Sequence, residues 1–159
     1  MPLKIRWTKK EYLGTALMLF GGCGLFQLFF IFVAQYYLSI GNYVVIILIP
    51  IGVTFGLFYC STIIFDSYAQ VDRRKKIKTQ FEKSRFKKKK SKKILNFPVS
   101  KPLLIIYAIF IPGFFISYFI CNLFLNNIIS FMIAENLPTI VSFFVANLIE
   151  KNYAKVQRI

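Results

Sequence analysis

Tyr12 to Tyr37 holds no charged residue, and neither does Tyr43 to Phe65, Pro102 to Ala134 or Asn136 to Ile149. A run of about 20 mostly apolar residues is enough to cross the hydrocarbon core of a bilayer as a helix. The first two runs predict one span each. The third is too long for one span, and the pair Asn126-Asn127 divides it. The pattern therefore predicts helices over about 12–37, 43–65, 102–124 and 128–150, joined in the middle by a loop over 66–101. The expected fold is all-α: a polytopic membrane protein whose residues 1–159 form a single four-helix transmembrane bundle.

The fourth helix is the ambiguous one. Glu135 interrupts its apolar run and Pro138 follows. The residue before a proline is biased away from helical geometry. One outcome is a continuous, kinked helix. The other, favoured on the sequence, is a short interfacial helix near 128–135 followed by a span that begins at Pro138. In that arrangement Glu135 lies in the wet interface beside Asn136 and caps the helix.

Charge fixes the expected orientation. Cytoplasmic loops carry the Lys and Arg excess. All 21 basic residues fall in the amino end, the middle loop and the carboxyl end. The segments Leu38 to Asn42 and around Asn126-Asn127 carry none. Both ends and the long loop are thus expected inside, in a prokaryotic plasma membrane. Trp7, Tyr12, Tyr68 and Tyr153 on one side, and Tyr36, Tyr37 and Tyr43 on the other, fit the aromatic belts of a bilayer. The first apolar run exceeds the 7–15 residues of a signal-peptide core and reads as an anchor that stays.

Composition strengthens this reading. The chain is 57% hydrophobic and 17% charged, with 19 phenylalanines. A domain this small buries only about two-thirds of its unfolded surface, so the remaining apolar area needs lipid. Cys23, Cys60 and Cys121 each sit in an apolar run, a spacing that fits neither a disulfide framework nor a zinc site. Histidine is absent. That removes His-ligated haem, copper, di-iron and catalytic zinc, and any Ser-His or Cys-His pair within the chain. No cofactor, bound metal or catalytic residue is expected.

An internal similarity suggests duplication. Tyr68-Ala69-Gln70-Val71-Asp72-Arg73 and Tyr153-Ala154-Lys155-Val156-Gln157-Arg158 align without a gap, and the same register pairs Thr54 with Thr139 and Phe58 with Phe143. Two copies of a helical hairpin, both starting inside, would be related by an axis along the membrane normal.

Small residues nominate the packing faces, because they let backbones approach in lipid. Gly52 and Gly56 form a GxxxG that Cys60 extends. Gly113, Ser117 and Cys121 repeat the four-residue spacing, as do Ser142 and Ala146. These faces serve bundle packing or docking to a partner. Glu135, Gln27 and Asn122 are the candidate intramembrane polar residues. An acid inside a membrane is a functional candidate by default, and no Lys or Arg of this chain lies near Glu135 in the sequence pattern. The clusters Arg73, Arg74, Lys75, Lys76 and Lys87, Lys88, Lys89, Lys90 are of a size that contacts anionic lipid headgroups. Specific nucleic-acid binding is not expected, because so short and polar a loop holds no recognition fold.

Two functions survive. The first expectation is a non-catalytic accessory subunit of a larger integral membrane complex, such as a respiratory-type or oxidase assembly, with other membrane subunits as partners. The second is a small oligomeric transporter, or a flippase for a polyprenyl-lipid-linked substrate. The layout is similar to that of small polyprenyl-linked sugar flippases and small multidrug exporters, a likeness of layout alone. A transporter predicts that Gln27, Asn122 and Glu135 share a polar site.

Overall fold

A computed structural model of the chain describes residues 10–38, 40–82 and 99–155. Helix α1 (Lys10–Phe32) runs on into a π-helical turn (Val33–Tyr37). Helix α2 is Tyr43–Glu82, α3 is Ser100–Asn122 and α4 is Asn127–Lys155. Each contains a stretch long and apolar enough to cross a membrane: Leu13–Tyr37, Tyr43–Ala69, Ser100–Asn122 and Asn127–Asn152. There is no strand among the described residues. The protein is a four-helix bundle of the integral membrane class, as the apolar runs predict.

The burial pattern shows why these helices assemble. Leu19, Cys23, Gln27, Phe30 and Ala34 are buried in the first helix, and Pro102, Ile106, Phe110, Phe114 and Tyr118 in the third. Steps of three and four residues in the first helix, and of four in the third, place each set along one stripe. The opposite faces remain apolar: Leu25, Phe119 and Phe144 are each more than 60% exposed. Within the bundle, 28–39% of each span is buried, so lipid must cover much of the rest.

Helix α4 packs between α2 and α3, and α1 docks on α2. Between α1 and α3 the backbones stay further apart and aromatic side chains fill the gap. Phe26 stacks on Tyr107 at 4.1 Å between ring centroids, and Phe30 meets Phe114 at 4.6 Å and Phe110 at 5.1 Å. The Tyr107 hydroxyl donates to the Gly22 carbonyl at 2.8 Å, which gives a phenol inside an apolar seam the partner it needs. Tyr107→Phe removes that bond and leaves the rings in place. Its expected cost is about 1 kcal/mol, seen as a small fall in the thermal unfolding midpoint in detergent.

Two elements differ from the sequence-based expectation. Helix α2 does not stop at Phe65 but continues to Glu82. Hydropathy marks where the membrane ends, not where the helix ends. Residues 66–82 contain no Gly or Pro and are rich in Lys, Arg and Gln, which sustain a helix in water. The second difference corrects the favoured reading of helix 4. Pro138 lies inside a continuous α4 instead of starting a helix. A proline inside a helix cannot donate to the carbonyl four residues back. Membrane helices tolerate this where hydroxyl side chains re-satisfy nearby carbonyls. Here the Thr139 hydroxyl donates to the Glu135 carbonyl at 2.8 Å. In α2 the Thr54 hydroxyl also donates to the carbonyl four residues back, that of Pro50, at 2.7 Å, although the carbonyl that Pro50 itself frees is the one at Ile46. Thr54 and Thr139, the pair matched by the internal similarity, thus make the same backward bond.

Candidate functional site

Glu135 stands eight residues into α4, about 12 Å from its start at 1.5 Å per residue. Gln27 stands ten residues before the end of the π-helical turn, about 15 Å from the same side of the bundle. The two side chains therefore come to similar depth, and they meet: the Gln27 amide lies beside the Glu135 carboxyl. Their atoms do not form a well-directed hydrogen bond, and all four side-chain polar atoms are buried without a hydrogen-bond partner. Glu135 is 0% exposed and Gln27 2%. Glu135 is therefore shielded from water by the bundle itself and caps no helix at Pro138, contrary to the favoured sequence reading. An unbroken α4 turns it inward on the face that also buries Phe131, Ala134 and Pro138.

Ser142, two turns further along the same face of α4, is also fully buried with an unpartnered hydroxyl. Asn122 does not join the site. It ends α3 and is exposed. Of the three polar residues expected to share a site, two converge.

The small-residue positions divide in the same way. A Cβ on Gly56 would stand 2.8 Å from Thr139 Cγ2, and one on Gly113 would stand 3.1 Å from Pro138 Cβ. These two glycines carry the close approach of α4 to α2 and α3. Cys60, Ser117 and Ala146 are buried, and Cys121 is half-buried. Gly52 is exposed with open space where its Cβ would be, so it packs against nothing within the bundle. The sequence alone did not single out Tyr107, Pro138 or Thr139 as packing residues. The spacing of small residues finds the hollows, and only the folded bundle shows which side chains fill them.

Arg73, Arg74, Lys75 and Lys76 lie on the extension of α2 beyond its apolar stretch, while Lys87, Lys88, Lys89 and Lys90 lie outside the described residues. Among the described residues no group of three His, Cys, Asp or Glu side chains gathers in a way that could hold a metal ion.

Fold and site together define a class: a small polytopic membrane protein with a buried carboxyl–amide pair in the middle of its bundle. No protein-family model matches the chain, and neither a curated protein nor a solved structure is found to be similar to it.

Proposed function

We propose that this protein is a small oligomeric transporter in which Glu135, with Gln27, binds a proton in exchange for a cationic substrate. The observation that carries this reading is the meeting of two buried, unpartnered polar side chains from α1 and α4. A carboxylate without a counter-charge in an apolar interior is costly, and a proton or bound cation removes the cost. Gln27 offers both an amide donor and an acceptor, so it can bond the carboxyl in either state. One carboxylate and one amide suit a proton or an organic cation. Ca²⁺ and Mg²⁺ take six or more oxygen ligands, and Zn²⁺ takes four, mostly from Cys and His, so neither set is met here. The same carboxylate disfavours an anionic cargo such as a lipid-linked diphosphate. Both chain ends and the basic segment lie on the cytoplasmic side in this reading, as the charge distribution requires.

The accessory-subunit reading stands second. Gly14, Gly21 and Gly52 have open space around them, and small residues on an outer face admit a neighbouring helix. The first reading makes a direct prediction. Adding tetraphenylphosphonium, a lipophilic cation, to the detergent-solubilised protein in weak buffer releases protons in a saturable way. No release with this or other lipophilic cations, together with stable co-purification of unrelated subunits, would turn the conclusion to the second.

A further inference from the structure

The outward face of α4 carries polar side chains where lipid would be expected. Asn136 and Asn147 are both exposed, and both lie within the span Asn127–Asn152. Asn136 is deep in it, about 13 Å from its start. The Asn136 side-chain nitrogen donates to the Met132 carbonyl at 2.7 Å, which uses one of the amide's four bonding capacities. An amide facing hydrocarbon leaves the others unmet, and helices in lipid pair such groups across an interface.

The spacing of this face has a definite meaning. Ile129, Ile133, Asn136, Ile140, Phe143 and Asn147 advance by alternate steps of four and three residues. That is the a/d seam of a left-handed helix pair, and polar residues at seam positions set its register. Ile129, Ile140 and Phe143 are exposed in the bundle, at 44%, 57% and 39%. Ile129 and Ile140 lie open, whereas Phe143, at the edge of this face, stacks on Tyr59 of α2 at 6.0 Å between ring centroids and Ile133 is half-buried. Glu135, one residue away from Asn136, faces inward, so α4 has an inner face for the site and an outer face for something else.

We infer that this outer face of α4 binds a second copy of the same chain, α4 against α4 in parallel, with Asn136 meeting Asn136 and Asn147 meeting Asn147 across a two-fold axis. Two arguments select a second copy over another protein. The asparagine amide is both donor and acceptor and therefore complements itself. The bilayer also fixes depth: a second copy in the same orientation brings an amide to both levels, and an unrelated helix would need polar groups at both depths by coincidence. An isologous two-fold contact of this kind is the commonest form of homo-oligomer. The inference supplies the interface for the oligomer proposed above, and it stands or falls independently of Glu135.

Cysteine cross-linking in native membranes tests it. Single cysteines (Asn136→Cys, Ile140→Cys, Phe143→Cys, Asn147→Cys) go into a chain whose own three cysteines are replaced, with Leu137→Cys and Leu148→Cys as off-seam controls. Copper-phenanthroline oxidation is expected to give a dimer band at the seam positions, at least fivefold stronger than at the controls. Adding Asn136→Leu with Asn147→Leu is expected to weaken cross-linking at residue 140 severalfold. Should the cysteine-free chain not fold, benzoylphenylalanine at position 140 of the otherwise unaltered protein is expected to give the same homodimer on irradiation. Equal cross-linking at seam and control positions, or a cross-linked product with the mass of a different protein, would overturn the inference. Loss of cation-driven proton release with intact cross-linking would instead count against the Glu135 reading alone.

Discussion

Glu135→Gln is expected to cut the proton release caused by tetraphenylphosphonium at least tenfold and leave the helical bundle intact. The substitution keeps the shape of the side chain and removes its capacity to take and give a proton. Gln27 can still face it as amide to amide. Because the native carboxyl has no hydrogen-bond partner, a neutral residue in its place also lifts a burden from the fold. The thermal unfolding midpoint of the Gln variant is therefore expected to equal or exceed that of the wild type. Function lost with stability kept or gained is the pattern of a site maintained for activity. A variant that loses both would mark Glu135 as a structural residue. Circular dichroism melting and proton release on the same preparations separate the two.

The second large effect concerns the glycines. Gly56→Leu and Gly113→Leu are each expected to destabilise the bundle by about 1–3 kcal/mol or more, the cost of overpacking a fitted interface. The side chain at 56 must displace the methyl of a β-branched threonine, and that at 113 must displace a proline ring. Neither neighbour can swing aside, since a β-branched side chain has few rotamers and the ring is fixed to the backbone. Gly52→Leu, by contrast, grows into open space and is expected to change stability by less than about 0.5 kcal/mol. Thermal unfolding of the three variants in one detergent distinguishes them. Equal losses at 52 and 56 would mean that the GxxxG works as a unit, as its sequence pattern suggests and its geometry does not.

Positions 52 and 56 also show how far the chain could be read without its fold. Hydropathy located all four spans, because a membrane span is a local property of about 20 residues. The divide at Asn126-Asn127 was legible for the same reason, since polar amides interrupt an apolar run where α3 gives way to α4. The extension of α2 to Glu82 was not, because nothing in hydropathy separates a polar helix from a polar loop. Glu135 and Gln27 could each be picked out as polar residues in apolar runs. Their meeting could not, since α1 and α4 are the first and last helices and periodicity says nothing of which faces converge. The inward turn of Glu135 depended on α4 passing unbroken through Pro138, and a proline signal alone favours the break. Asn122 looked equivalent to Gln27 in the sequence and ended up at a helix terminus.

In the proposed function Glu135 is a membrane-embedded carboxyl that exchanges its proton for a cation. The most direct test is labelling of the wild-type protein with dicyclohexylcarbodiimide, an apolar reagent that modifies protonated carboxyls within membranes, followed by peptide mass spectrometry. One stable adduct is expected, on Glu135, whose formation slows severalfold when tetraphenylphosphonium is present and which is absent in Glu135→Gln. An unmodified Glu135, or modification at a rate that the cation does not change, would contradict it.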